Sequence, residues 1–281
     1  MGILESILRP IVLGLVQGLT EFLPISSSGH LIVLPKLFGW PDQGLAFDLF
    51  LHLGTLLAIL ILFWKDWLGI LKGIVFIKNK QYSSDRKLLL LILIGILPAL
   101  IFGLCFGDLI GEKLRLPWLV GANLIFWALV LWVADIYTRK REHTTEVNKI
   151  KPKHAIITGL FQAIALIPGG SRSGLSITGG LFAGMSRKAA VKFSFMMSAP
   201  LILGAALLKG IEWLYAPHMV PWARISISPM SNQYDLIVGF IFAFISGLLA
   251  IKLLNYIATR KNFLPFVIYR IIIGTLIILF L

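Results

Sequence analysis

"GLVQGLTEFLPISSSG" (residues 14–29) lies without a gap on "GLFQAIALIPGGSRSG" (residues 159–174) when the chain is laid on itself at a shift of 145. Gly14 meets Gly159, Gln17 meets Gln162, Ser26 meets Ser171, Ser28 meets Ser173 and Gly29 meets Gly174. At a shift of 144, Gly95, Ala99 and Gly103 meet Gly239, Ala243 and Gly247. Separately, "LP" at 116–117 recurs at 264–265. The chain reads as two copies of one unit. Both quoted stretches are apolar, yet Pro, Gly and Ser break them too often for an ordinary membrane span. Irregular backbone survives at membrane depth only inside protein or against a water-filled cavity. The stretches at 1–44 and 154–188 are therefore predicted to be re-entrant helical hairpins.

The surrounding sequence supplies the membrane. Of 281 residues, 58% are hydrophobic and 14% charged, with mean hydropathy +0.89. A soluble domain carries roughly 25% charged residues. Apolar runs near twenty residues recur at 45–63, 86–107, 117–137, 189–208, 235–257 and 264–281, each long enough to span. The first 25 residues show neither a basic n-region nor a small-residue cleavage site, so no signal peptide is expected. The predicted fold class is an all-α polytopic membrane protein. Residues 1–145 form the first repeat and 146–281 the second, each a hairpin plus three spans. An odd number of spans inverts the second copy, and inverted repeats place their site near the midplane where broken helices meet.

Net charge is +13, from 26 Lys and Arg against 13 Asp and Glu. The basic residues cluster in loops at 65–87, 138–153 and 260–261. This pattern reads as topology and anionic headgroups, so nucleic acid is not an expected partner. If six runs span, these loops fall on one side and carry fourteen basic residues, six, six and two, against six on the other. That side is predicted to be cytoplasmic, with both termini outside. Cys105, the one cysteine, cannot form an intrachain disulfide.

The chemistry is expected where the copies differ. Ser27 faces Arg172, Glu21 faces Leu166 and His30 faces Leu175. A cation at membrane depth costs on the order of 2.5–3.5 kcal/mol even on the lenient insertion scale, so Arg172 needs an anionic partner. Gly169 and Gly170 allow close backbone approach, and Ser171, Ser173 and Ser176 add hydroxyls. Arg amid Gly and Ser at a helix start suits phosphate. The bland alternative is a structural Arg172–Glu21 ion pair. Gln17 and Glu21 are spaced i, i+4, so both can face one cavity. A carboxylate near phosphates suggests a divalent cation, Mg²⁺ or Ca²⁺, on Glu21 and Gln17. Ser27 and His30 are three apart and share a face if a helix starts near Ser26, a suitable N-cap. Asp48 and His52 either support the site or cap a span. Arg270 is expected to snorkel to the cytoplasmic face.

The two stretches resemble the signatures of the bacterial undecaprenyl-pyrophosphate phosphatase family, the bacitracin-resistance phosphatases. The first signature, Glu or Gln, three residues, then Glu, is Gln17 and Glu21 followed by "PISSSGH". The second is "PGGSRSG" at 168–174. The resemblance covers nearly the whole chain. It implies hydrolysis of a C55 polyprenyl diphosphate to the monophosphate, which recycles the carrier of cell-wall precursors. It also implies a divalent metal and a site facing outward from the bacterial cytoplasmic (inner) membrane. The family commonly has Thr where this chain has Ser176. The expected partners are the polyprenyl diphosphate, membrane lipids and, in a homodimer, a second copy of the chain.

The expected mechanism is attack by Ser27 on the terminal phosphorus with His30 as proton shuttle. Arg172 and nearby backbone N–H groups would hold the phosphoryl oxygens, with Ser26 among the binding groups. The sequence equally permits His30, or a water activated by Glu21, as nucleophile. The rival class is a transporter that flips the lipid monophosphate, since inverted repeats with broken helices also build transporters.

Overall fold

A computed structural model describes residues 3–114, 116–141, 144–219 and 232–281. Among them there are eleven α-helices and no β-strand. In chain order these are α1 (Ile3–Phe22), α2 (Ser27–Phe38), α3 (Leu45–Leu62), α4 (Trp64–Val75), α5 (Ser83–Lys113) and α6 (Pro117–Arg139). After a basic loop follow α7 (Pro152–Ile164), α8 (Arg172–Phe182), α9 (Arg187–Met219), α10 (Gln233–Arg260) and α11 (Leu264–Phe280).

Among the described residues, four helical segments are long and apolar enough to cross a membrane: Lys80–Gly107, Pro117–Arg139, Arg187–Leu208 and Gln233–Arg260. The protein is a multi-pass, all-α membrane protein. The expected run at 45–63 is not a simple rod. α3 breaks at Phe63 and continues as α4 after a bend of 80°. Lys192 of α9 pins the bend, reaching Asp66 Oδ1 at 2.6 Å just past it. The last run, α11, has 17 residues and so measures roughly 26 Å, slightly short of a hydrocarbon core about 30 Å thick.

The three basic loops gather at one end of the molecule. Asp135 near the end of α6 accepts from Arg187 Nε at 2.5 Å and from the Phe263 N–H at 3.4 Å. Thr145 pairs with Met185 in an isolated bridge beside them. The Lys192–Asp66 pair ties in the start of α4.

The stretches at 1–44 and 154–188 form helical hairpins, α1–α2 and α7–α8. They open toward opposite ends. α7 leaves from the basic end and runs beside α5, where a Cβ on Gly159 would sit 2.2 Å from the Gly95 carbonyl oxygen. α1 comes from the other end and runs beside α10, where a Cβ on Gly14 would sit 2.6 Å from the Gly239 carbonyl oxygen. Only glycine lets these backbones approach so closely. A central apolar cluster with Phe22, Ile59, Phe193 and Phe195 lies beneath the first turn. The Phe22 and Phe195 rings meet edge to face at 5.5 Å, which fixes the end of α1 and the residue before it, Glu21.

Candidate active site

Each hairpin turns at a proline. Pro24 and Pro168 disfavour helix in the residue before them, so α1 and α7 end and the chain reverses. Each turn then enters its next helix through a serine. Ser26 and Ser171 adopt φ of 74° and 73°, left-handed values that few non-glycine residues hold. Their side chains cap α2 and α8 by accepting from Gly29 N at 3.4 Å and Gly174 N at 3.1 Å. The hydroxyls of Ser26 and Ser28 lie 3.3 Å apart, as do those of Ser171 and Ser173. The strain, roughly 1–3 kcal/mol per such residue, is held by the same contacts in both turns.

The caps present Ser27 and Arg172 as the first residues of α2 and α8. Both reach one carboxylate. Ser27 Oγ donates to Glu21 Oε2 at 2.6 Å. Arg172 Nη2 donates to Glu21 Oε1. Gln17 Nε2 donates to Glu21 Oε2 at 3.2 Å, the i, i+4 contact expected on α1. Ser173 closes the junction by donating to the Leu23 carbonyl at 3.0 Å. Glu21 and Gln17 are buried, whereas the Ser27 and Arg172 side chains keep partial exposure. Two helix N-termini thus start at one carboxylate, an arrangement that favours an incoming anion.

Both ring nitrogens of His30 are engaged. Its Nδ1 lies 2.7 Å from the Ser26 carbonyl and its Nε2 lies 2.7 Å from the Tyr269 hydroxyl. A carbonyl only accepts, so Nδ1 carries a proton, and in the neutral form of the ring Nε2 accepts from Tyr269. The rings also stack, with centroids 5.7 Å apart. His30 therefore holds the left-handed cap residue, and the hydroxyl of Ser27 turns to Glu21. Another imidazole does approach the carboxylate: His52 Nε2 stands 3.9 Å from Glu21 Oε2. Its Nδ1 is occupied by the Asp48 carbonyl at 2.7 Å.

The remaining candidates divide. The Gly170 N–H donates to the Ile167 carbonyl at 3.1 Å, and Gly169 (φ 87°) packs against Val120. Ser176 lies 2.7 Å from the Arg172 carbonyl and 2.6 Å from the Ser194 hydroxyl, so it braces α8 against α9. Arg270 does not snorkel. It is fully buried, and five carbonyl oxygens receive its guanidinium. That many acceptors make burial cheaper than the reach to water. Tyr269 and Asn123, which donates to the Pro168 carbonyl at 3.0 Å, were not singled out by motif or spacing.

For a metal, the described residues offer no cluster of three or more His, Cys, Asp or Glu. They do offer a buried amide oxygen, Gln17 Oε1, without a hydrogen-bond partner, on the same side chain that touches Glu21. One carboxylate and one amide oxygen are hard donors. Mg²⁺ commonly takes few protein ligands and completes its shell with water and substrate phosphates. Glu21 and Gln17 Oε1 are donors of the type such an ion takes.

The family model described as bacitracin resistance protein BacA matches residues 10–276. The chain belongs to this family. Among curated BacA-family relatives, undecaprenyl-diphosphatase 1 of Pseudoalteromonas translucida is 40% identical over 277 residues, covering 98% of this chain and 99% of its own. The undecaprenyl-diphosphatase of Moorella thermoacetica is 42% identical, covering 97% of each chain. That of Campylobacter concisus is 42% identical, covering 94% of this chain and 95% of its own. Both hairpin turns lie within the matched span.

Proposed function

We propose that this chain is an integral membrane phosphatase. It hydrolyses undecaprenyl diphosphate to undecaprenyl phosphate and inorganic phosphate, which returns the lipid carrier to cell-wall polymer synthesis and confers bacitracin resistance. BacA-family membership and the names of the relatives support the reaction. We further propose the bacterial cytoplasmic (inner) membrane as its location, with the site facing outward. The three basic loops at one end support that orientation. The partners are the polyprenyl diphosphate, bilayer lipids and, in a homodimer, a second copy of the chain. We read residues 1–145 and 146–281 as two inverted copies. The reciprocal crossings of Gly14 with Gly239 and of Gly159 with Gly95 support this reading.

The observation that carries the mechanism is the meeting of Ser27 and Arg172 on Glu21. A diphosphate carried on a membrane-bound C55 tail reaches the turns from within the bilayer. Arg172 and the first amides of α8 take its terminal phosphoryl oxygens. Ser27 Oγ attacks the terminal phosphorus and passes its proton to Glu21. The Oγ–P bond forms as the bridging P–O bond breaks, and undecaprenyl phosphate leaves with the electron pair and the proton from Glu21. The freed carboxylate then takes a proton from the water that attacks the phosphoserine. That proton returns to Ser27 as inorganic phosphate leaves. His30 holds the Ser26 carbonyl, and with it the turn, throughout. A divalent cation on Glu21 and Gln17 would supply neutralising charge to the diphosphate.

The test is phosphate release from polyprenyl diphosphate by purified protein in detergent. Detergent removes sidedness, so turnover there is chemistry and not flipping. Folded protein that releases no phosphate overturns the proposal and leaves the transporter reading.

A further inference from the structure

We propose that Arg270 is a positioning residue that sets the distance between the two turns and so determines whether Ser27 and Glu21 face Arg172. The inference rests on the roles proposed above for those three residues. Arg270 is 0% exposed in the middle of α11. None of the ion pairs among the described residues includes it. Its guanidinium is spent on backbone. Nη1 donates to the Pro24 carbonyl at 3.3 Å. Nη2 lies 3.1 Å from the Gly169 carbonyl and 3.0 Å from that of Gly170. Nε donates to Leu124 at 3.1 Å, and Nη2 also lies 3.5 Å from the Asn123 carbonyl.

These acceptors belong to three separate pieces of chain. Pro24 is midway between Glu21 and Ser27, Gly170 is two residues before Arg172, and Asn123 and Leu124 lie on α6. One planar fork therefore joins the first turn, the second turn and a spanning helix. Its neighbour Tyr269 adds a second grip on the first hairpin through His30. Lysine cannot replace such a fork, since its ammonium is a point charge with three rotatable donors. The turns are otherwise joined by the groups that would react and by Ser173. Substrate must disturb the Glu21–Arg172 contact, so a clamp away from the chemistry is what keeps the turns in register during turnover.

A misplacement of about 1 Å in reacting groups can cost on the order of 100-fold. Arg270→Lys is expected to fold and to lose about 100-fold in kcat, with KM changing only a few-fold. The double variant Arg172→Lys/Arg270→Lys should be scarcely slower than Arg172→Lys alone, because a misplaced Arg172 and a missing one fail alike. A merely structural residue would lower folded yield and Tm, and its effect on kcat would multiply with that of Arg172→Lys. Gly174→Ala gives a second measurement that keeps Arg270. Its Cβ would lie 2.9 Å from Arg270 Nη1 and 3.0 Å from Ser171 Oγ, so it crowds the fork and the cap of α8 together. It should show the same kcat-weighted loss, again without multiplying that of Arg172→Lys, and near-normal kcat in it overturns the inference even if Arg270→Lys does not fold. Near-normal kcat in Arg270→Lys or Gly174→Ala, or multiplying losses in the double variant, overturns this inference alone. Near-normal kcat/KM in Arg172→Lys would instead overturn the role of Arg172.

Discussion

Ser27 donates its hydroxyl hydrogen to Glu21 at 2.6 Å, while His30, three residues further on, commits its two ring nitrogens to Ser26 and Tyr269. The base nearest the proposed nucleophile is a carboxylate from the preceding helix. Glu21→Gln keeps the shape and removes the acceptor of that proton. General-base contributions are on the order of 10²–10⁴, so kcat should fall by about 1,000-fold with folding intact. Phosphate release by Glu21→Gln in detergent measures this. Activity within tenfold of the parent would show that Glu21 does not receive the proton.

Arg172 presents a planar fork to Glu21 and, in the proposed mechanism, to two phosphoryl oxygens at once. Arg172→Lys preserves the charge and loses the fork. We expect kcat/KM to fall by roughly 100-fold, a size typical of losing one oxyanion donor. The parent and variant are compared on the same polyprenyl diphosphate at fixed metal. A near-normal value would mean that Arg172 serves as a point charge or as a structural partner for Glu21.

Tyr269 contributes one hydrogen bond and one ring contact to His30. A typical net hydrogen bond contributes about 1 kcal/mol, equivalent to roughly a fivefold change. Tyr269→Phe keeps the stacking, so kcat should fall about fivefold. His30→Ala loses the hold on the Ser26 carbonyl as well and should fall much further. Equal, large losses in both variants would indicate that a proton passes through the pair, which the positioning role does not require.

How much of this was legible before the structure depends on the reach of each interaction. The helix–turn–helix at each motif, the Ser26 cap and the shared face of Gln17 and Glu21 follow from local rules of proline, serine and i, i+4 spacing. Arg172 reaching Glu21 was legible as a charge in need of a partner. Arg270 misled because snorkelling is judged from depth along one helix, whereas its carbonyl partners come from turns 100 and more residues away. The partner of His30 lies equally beyond local reach: three-residue spacing sets it on one helical face with Ser27 but says nothing of Tyr269, 239 residues on, which meets its Nε2. The sequence reads His52, with Asp48, as either supporting the site or capping a span, and its approach to Glu21 depends on how α3 packs against α1.

Orientation can be read by labelling. Positions 79 and 146 lie in the two larger basic loops, and both are expected on the cytoplasmic side. Cys105 is exposed and must first be replaced by serine. Single cysteines at 79 and 146 should then resist a membrane-impermeant thiol reagent in intact cells and react after permeabilisation. Ready labelling of both in intact cells would reverse the orientation and place the site's opening on the other side.

Gln17 and Glu21 differ by one charge, and that difference predicts their response to metal. Gln17 Oε1 is buried without a partner, while its Nε2 already holds Glu21 Oε2 at 3.2 Å. An amide oxygen can ligate a cation but cannot neutralise it. Gln17→Glu places a second carboxylate there, in a residue type that the family signature also admits. In the absence of metal, two facing carboxylates repel each other and the incoming diphosphate. With a divalent ion bound, both carboxylates can ligate it. Turnover should therefore survive at saturating Mg²⁺ or Ca²⁺, fall more steeply than in the parent as a chelator removes the ion, and show a raised KM at low metal. Phosphate release against metal concentration for the parent and Gln17→Glu decides the matter. Coincident metal profiles would mean that no divalent ion sits on this pair, and that Arg172 and the two helix N-termini carry the charge of the diphosphate alone.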